Sequence, residues 1–192
     1  WLQNTNNWPF SAAGPDSPRR EEFPVYVQRS GENARGLHAV RVLEGKTDFT
    51  LQSLIDAAFD SYLTGFEELI PALVRAYDQA DASNSLKAEL ADQVGILRNW
   101  DLRWSVESIP TSLAIFFGEE TRRLGSTERA TPQELLQALN AASARLESDF
   151  GSWRTPWGDI NRFQRLTGDI VQPFDDAGPS TPVGFPSARW GS

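Results

Sequence analysis

The chain has no cysteine and a single histidine, His38. The first absence excludes disulfides, thiolate metal sites and cysteine nucleophiles from its chemistry. One histidine makes a self-contained Ser-His-Asp triad or a multi-histidine metal centre hard to build. Positive charge is also scarce. Against 26 Asp and Glu stand 18 Lys and Arg, a formal net charge of −8, so a nucleic-acid partner has little electrostatic support. No apolar run approaches the ~20 residues that span a bilayer, so no membrane partner is expected. Internal repeats and low-complexity tracts are not evident either. Chemistry carried out here must borrow groups from outside these residues.

What is present is ordinary for a globular domain: 192 residues, 40% hydrophobic and 23% charged, enough for one real core. The pattern falls into three stretches. Residues 1–33 form an irregular arm rich in Pro, Gly, Asn and charge, in which only Phe23-Pro24-Val25-Tyr26-Val27 resembles a short extended run. Residues 34–151 read as a helical domain, and 152–192 as a second Pro- and Gly-rich arm.

Within the helical domain, Asn33 caps a short helix through Leu43 that stops at Gly45. Thr50 caps the next, where Leu51, Leu54, Ile55, Ala58 and Phe59 share one apolar face. Phe66, Leu69, Ile70, Leu73, Val74 and Tyr77 repeat that spacing, with Pro71 in the first turn. Ser85 opens a helix carrying Leu86, Leu90, Val94 and Leu97, and Ile109 to Phe117 is short, apolar and expected to be buried. Thr131-Pro132-Gln133-Glu134 is a capping box ahead of Leu135, Leu136, Leu139, Ala142, Leu146 and Phe150, with Gly151 as the stop. The expected fold is mainly α, with irregular arms wrapped over packed helices.

The most informative local feature is Asn4-Thr5-Asn6-Asn7-Trp8-Pro9. Amide side chains disfavour regular structure and present N–H donors from turns, although a solvated turn has the same composition. Trp1-Leu2-Gln3-Asn4-Thr5-Asn6-Asn7-Trp8-Pro9-Phe10 resembles the β-subunit segment of the penicillin amidase (penicillin acylase and acyl-homoserine-lactone acylase) family that carries the oxyanion-hole asparagine. Three further runs follow in the family's order: Arg35 to Leu43, Leu97-Arg98-Asn99-Trp100-Asp101-Leu102-Arg103-Trp104, and Trp157-Gly158-Asp159-Ile160-Asn161-Arg162-Phe163. The last residues, Gly184 to Arg189, resemble the run into a central sheet strand.

The resemblance implies a β-subunit piece of an N-terminal nucleophile hydrolase of α/β/β/α architecture, which hydrolyses an acyl amide through an N-terminal Ser. Trp1 offers no nucleophilic oxygen or sulfur, so the nucleophile lies outside the chain and the isolated piece is expected to be inactive. It assigns Asn6 to the oxyanion hole, with Asn4 and Asn7 holding the turn, and gives Arg35 the task of orienting Asn6. It also implies a small acyl-amide substrate, no cofactor, the remainder of the same precursor as partner, and a periplasmic or secreted location. The wording of the asparagine segment is nearer to acyl-homoserine-lactone and lipopeptide acylases than to penicillin G acylase.

Asp16 sits where some members of the family place a calcium ligand, but one carboxylate is too little for an ion that wants six to eight oxygens. No metal site is therefore expected. His38 reads as a structural residue among apolar neighbours, and Asp101 as a backbone-bonding residue after a helix end. Seven tryptophans support a rival: an α-helical binding or structural module using exposed aromatics, without catalysis. Against it, Trp100 and Trp104 lie beside apolar helical runs and are expected in the core.

Overall fold

Caps decide where helices begin in this chain, because the first backbone N–H groups of a helix need partners from outside it. A computed structural model describes the chain except residues 2, 9, 12, 29, 30, 126–129, 166, 167, 169, 170 and 192. Leu2 and Pro9 of the asparagine segment, and the terminal Ser192, lie outside the described residues. The described structure is mainly helical, with one short antiparallel ladder. It divides into two compact units, residues 1–66 with 187–192, and residues 67–186.

In the first unit, α1 (Ala34–Leu43) starts where Asn33 Oδ1 accepts from the Gly36 N–H at 2.8 Å. A reciprocal box between Thr50 and Ser53 starts α2 (Leu51–Ala58). The spacing of α2 predicts one apolar face, yet Leu51, Leu54, Ile55 and Phe59 are 42–79% exposed, and no α2 residue is buried. Periodicity dictates a one-sided helix but not what covers that side.

Phe23 to Val27 is a correction. Instead of an extended run the chain turns, the Val27 N–H donating to the Pro24 carbonyl at 3.0 Å, with Val25 and Tyr26 exposed. No ladder among the described residues holds this run extended, and the turn satisfies part of its backbone locally. In the closing residues, Ala188–Trp190 is a 3₁₀ turn capped by Ser187.

The second unit holds α3 (Leu69–Gln79), α4 (Ser85–Glu89), α5 (Ala91–Arg98), α6 (Ile109–Arg123), α7 (Pro132–Phe150) and α8 (Trp157–Ile160). Its core lies where α6 packs along α7 and α3 packs on α5 and α7. Leu73, Val94, Leu97, Leu113, Phe117, Leu136, Leu139 and Leu146 are at most 1% exposed there. Phe66 stays in a 3₁₀ turn ahead of α3, with Pro71 in that helix's first turn as expected. The helix expected from Ser85 is two, broken at Leu90 (φ −102°, ψ 6°), whose side chain is nevertheless fully buried.

The apolar stretch Ile109–Phe117 does not end its helix. α6 runs on through Gly118 to Arg123, where Glu119–Arg122 and Glu120–Arg123 pairs at 2.8 and 2.7 Å line the exposed end. Phe150 is 41% exposed rather than on the buried face, its ring edge-on to Phe116 at 6.1 Å. Trp100 and Trp104 are half-buried rather than core residues, whereas Trp157 is buried. Asp101 Oδ1 accepts from the Arg103 N–H at 3.0 Å, as expected after a helix end.

After α8, β1 (Arg162–Phe163) pairs antiparallel with β2 (Thr181–Pro182) in the register Arg162↔Pro182 and Phe163↔Thr181. Among the described residues the run from Gly184 onward adds no strand to this ladder. Pro182 and Pro186 have no N–H to give a continuing ladder; Asn161 Nδ2 instead ties down the carbonyls of Val183 and Phe185, both at 2.8 Å.

At α7 the capping box is complete. Thr131 Oγ1 accepts from the Glu134 N–H at 3.3 Å, and Glu134 Oε2 accepts from the Thr131 N–H at 2.7 Å. The Thr131 N–H, and the Thr131 hydroxyl donating to the same oxygen at 2.8 Å, hold the Glu134 carboxyl below its ordinary range. A carboxyl depressed in the folded state contributes stability above its unfolded-state pKa and loses it on acidification, so the cap is intact at neutral pH. Thr131→Ala is expected to cost about 1 kcal/mol, read as a lower urea midpoint with unchanged slope.

Candidate active site

The asparagine segment folds into a turn built from its own amides. Asn4 Oδ1 accepts from the Asn6 N–H at 2.9 Å, and Asn6 sits at φ 57°, a left-handed conformation that Asn tolerates better than most residues. Asn7 is the hub of this turn. Its Nδ2 donates to the Ser11 carbonyl at 3.2 Å, and its Oδ1 accepts from Thr5 Oγ1 and from Gln3 Nε2. The expectation that Asn4 and Asn7 hold the turn is what this geometry displays.

The first turn of α1 receives that hub. Gly36 is buried, and a Cβ placed on it would fall on the Asn7 amide, 2.9 Å from Asn7 Cγ. Only glycine permits this approach. Asn33, whose Oδ1 caps α1, reaches back with Nδ2 to the Thr5 carbonyl at 3.3 Å. Turn and helix start are thus joined by contacts on both sides of position 35.

Between them, Arg35 Nη2 donates to Asn6 Oδ1 at 3.2 Å, bringing together the two residues singled out in the sequence. A guanidinium is a donor only, so it can bond only the oxygen end of an amide. The pair therefore sets which way the Asn6 amide points. Its Nδ2 retains its N–H groups, which no described residue accepts, and Asn6 is exposed.

Beside the pair opens a cavity of about 300 Å³, with Thr5, Arg35 and His38 among its lining residues and Val42, Leu54 and Ala58 as apolar wall. His38 is buried, and its Nε2 donates to Asp60 Oδ1 at 2.9 Å. Asp60 Oδ1 also accepts from the Tyr62 N–H at 3.1 Å. His38 thus ties α1 to the segment after α2. Asp16 lies in a 3₁₀ turn, Gly14–Asp16, and among the described residues no three His, Asp or Glu side chains gather as metal ligands.

Sequence reading passed over Gly36, Thr64 and Gly191. Thr64 Oγ1 donates to the Ala34 carbonyl at 2.6 Å, and Gly191 packs against both. The one local sign was a glycine directly after Arg35 in a helix's first turn, a costly choice unless something must approach the backbone.

Chemically the arrangement is a positioned, uncharged N–H donor on a hydrogen-bonded turn, backed by a cation and flanked by an apolar cavity. That suits stabilisation of negative charge on a substrate oxygen. The chain has no Cys, and among the described residues no cluster of metal-ligating side chains gathers. No curated protein matches the chain. The penicillin amidase profile matches residues 1–184, nearly its whole length. This chain belongs to the penicillin amidase family, and its relationship is to acylase-type hydrolases.

Proposed function

We propose that the chain is the oxyanion-stabilising part of an acylase that cleaves a linear acyl amide. An N-terminal Ser outside these residues attacks the acyl carbon, with its own α-amino group as base. The carbonyl oxygen becomes an oxyanion, to which Asn6 Nδ2 donates; the C–N bond breaks and the amine leaves with a proton. Water then attacks the acyl-enzyme ester, and the same donor serves the second oxyanion before the free acid departs. No cofactor enters either step.

The observation that carries this reading is the Arg35 bond to Asn6 Oδ1 at 3.2 Å. It holds the amide oxygen against the guanidinium and leaves the Nδ2 N–H groups to donate to an oxyanion. The family relationship favours amide cleavage over other uses of such a donor.

Two measurements test the proposal. N-terminal sequencing of the mature enzyme that contains these residues is expected to give a new Ser-initiated chain; a single uncleaved chain would sink the self-processing mechanism. Arg35→Ala is expected to lower kcat by about 30-fold, the equivalent of a charge-assisted hydrogen bond of ~2 kcal/mol. A fall in melting temperature with unchanged kcat would make Arg35 a structural residue only.

A further inference from the structure

We propose that Thr64 is a positioning residue for the Asn6–Arg35 pair, acting through the carbonyl of Ala34. The inference rests on the acylase reading above and extends it to residues that touch no substrate.

Thr64 is 6% exposed and opens the 3₁₀ turn Thr64–Phe66. Its Oγ1 donates to the Ala34 carbonyl at 2.6 Å, across thirty positions of sequence. Ala34 is the first residue of α1 and is directly bonded to Arg35. A carbonyl has two lone pairs, so one can take this hydroxyl while the other faces along the helix. The hydroxyl therefore fixes the backbone from which Arg35 projects without disturbing the helix itself.

The contact is packed on purpose-shaped backbone. Gly191 lies at φ 111°, which L side chains rarely adopt, and a Cβ there would collide with Thr64 Oγ1 and come within 2.9 Å of Thr64 N and 3.3 Å of the Ala34 oxygen. The preceding residue, Trp190, is buried and stacks on Phe66 at 4.6 Å with rings 16° apart. Gly65 allows the same close approach, its notional Cβ lying 3.0 Å from Trp190 Cα. The sequence Thr64-Gly65-Phe66 and the pair Trp190-Gly191 thus form one knot against the start of α1.

A catalytic consequence follows from the margin available. At 3.2 Å the Arg35–Asn6 bond is at the long end of the N–H···O range. Displacement of the backbone at Ala34 is expected to lengthen it further and to loosen the orientation of the Asn6 donor.

The test uses the complete mature enzyme and an acyl-amide substrate. Thr64→Val keeps the side chain's shape and removes the donor; kcat is expected to fall about tenfold with KM within about twofold. Thr64→Ser, which restores the hydroxyl, is expected to recover most of that loss. On an Asn6→Ala background Thr64→Val is expected to have almost no further effect on kcat, because the two act through one donor. Should Thr64→Val fail to fold, Gly191→Ala displaces the same hydroxyl and is expected to show the same dependence on Asn6.

Unchanged kcat in Thr64→Val with a lower melting temperature would overturn the proposal. So would a tenfold loss that persists undiminished on the Asn6→Ala background. If Asn6→Ala by itself leaves turnover intact, the oxyanion reading fails; if Asn6→Ala is crippled and Thr64→Val is not, only the role of Thr64 fails.

Discussion

Asn6→Ala is expected to lower acyl-amide turnover by about 10²–10³, ~3–4 kcal/mol of barrier, the usual cost of removing one oxyanion-hole donor. Maturation and folding should be retained, because Asn6 is exposed and the hub of the turn is Asn7. Alanine brings a complication of its own: position 6 sits at φ 57°, where a Cβ without a local polar partner is disfavoured by about 1–2 kcal/mol. Two companion variants separate this strain from the lost donor.

Asn6→Gly accepts the backbone conformation and removes the amide; its turnover should match that of Asn6→Ala. Asn6→Asp keeps the shape, tolerates φ > 0 and strengthens the contact with Arg35, yet has no N–H and sets a negative charge beside a developing oxyanion. It should fold at least as well as the parent and turn over no faster than Asn6→Ala. An Asn6→Asp enzyme with parental kcat would remove Asn6 from the mechanism.

Gly36→Ala is expected to lower turnover by about 10² while leaving every proposed chemical group in place. The new Cβ would occupy the seat of the Asn7 amide, 2.9 Å from its Cγ. Asn7 must then move, and with it the acceptors for Thr5 and Gln3 and the donor to Ser11. Two effects on stability oppose each other. Alanine is favoured over glycine inside a helix by about 1 kcal/mol, whereas overfilling a packed contact costs about 1–3 kcal/mol.

Because the neighbour that must yield is itself pinned by several hydrogen bonds, the steric cost is expected to win. Urea unfolding should show a net loss. The sign should reverse when Asn7 is already alanine: on that background Gly36→Ala has room and should stabilise α1, although turnover stays low. A Gly36→Ala enzyme with full activity would mean that the turn does not depend on this seat.

Several parts of this structure were legible in the sequence. Asn33, Thr50 and the Thr131–Glu134 box are helix starts because a side-chain oxygen near an orphan N–H is a local event, complete within three or four residues. Gly151 ends α7 at φ 80° for an equally local reason. Other features were not legible. The apolar stripe of α2 has the same period as that of α7, yet the first is exposed and the second buried. Phe150 sits in register with a buried face but falls past its end, and the extra turns of α6 continue on exposed ion pairs that apolar spacing does not register.

The candidate site divides the same way. Amides at positions 4, 6 and 7 and an arginine at the head of a capped helix are written in the chain, as are the absence of cysteine and the lone histidine that narrow its chemistry. That Arg35 reaches Asn6 across 29 positions, that Gly36 makes room for Asn7, and that Thr64 and Gly191 close on Ala34 were decided only by tertiary structure. Propensity and capping act over one turn of chain, whereas the meeting of distant side chains depends on how whole elements pack, which no local pattern encodes.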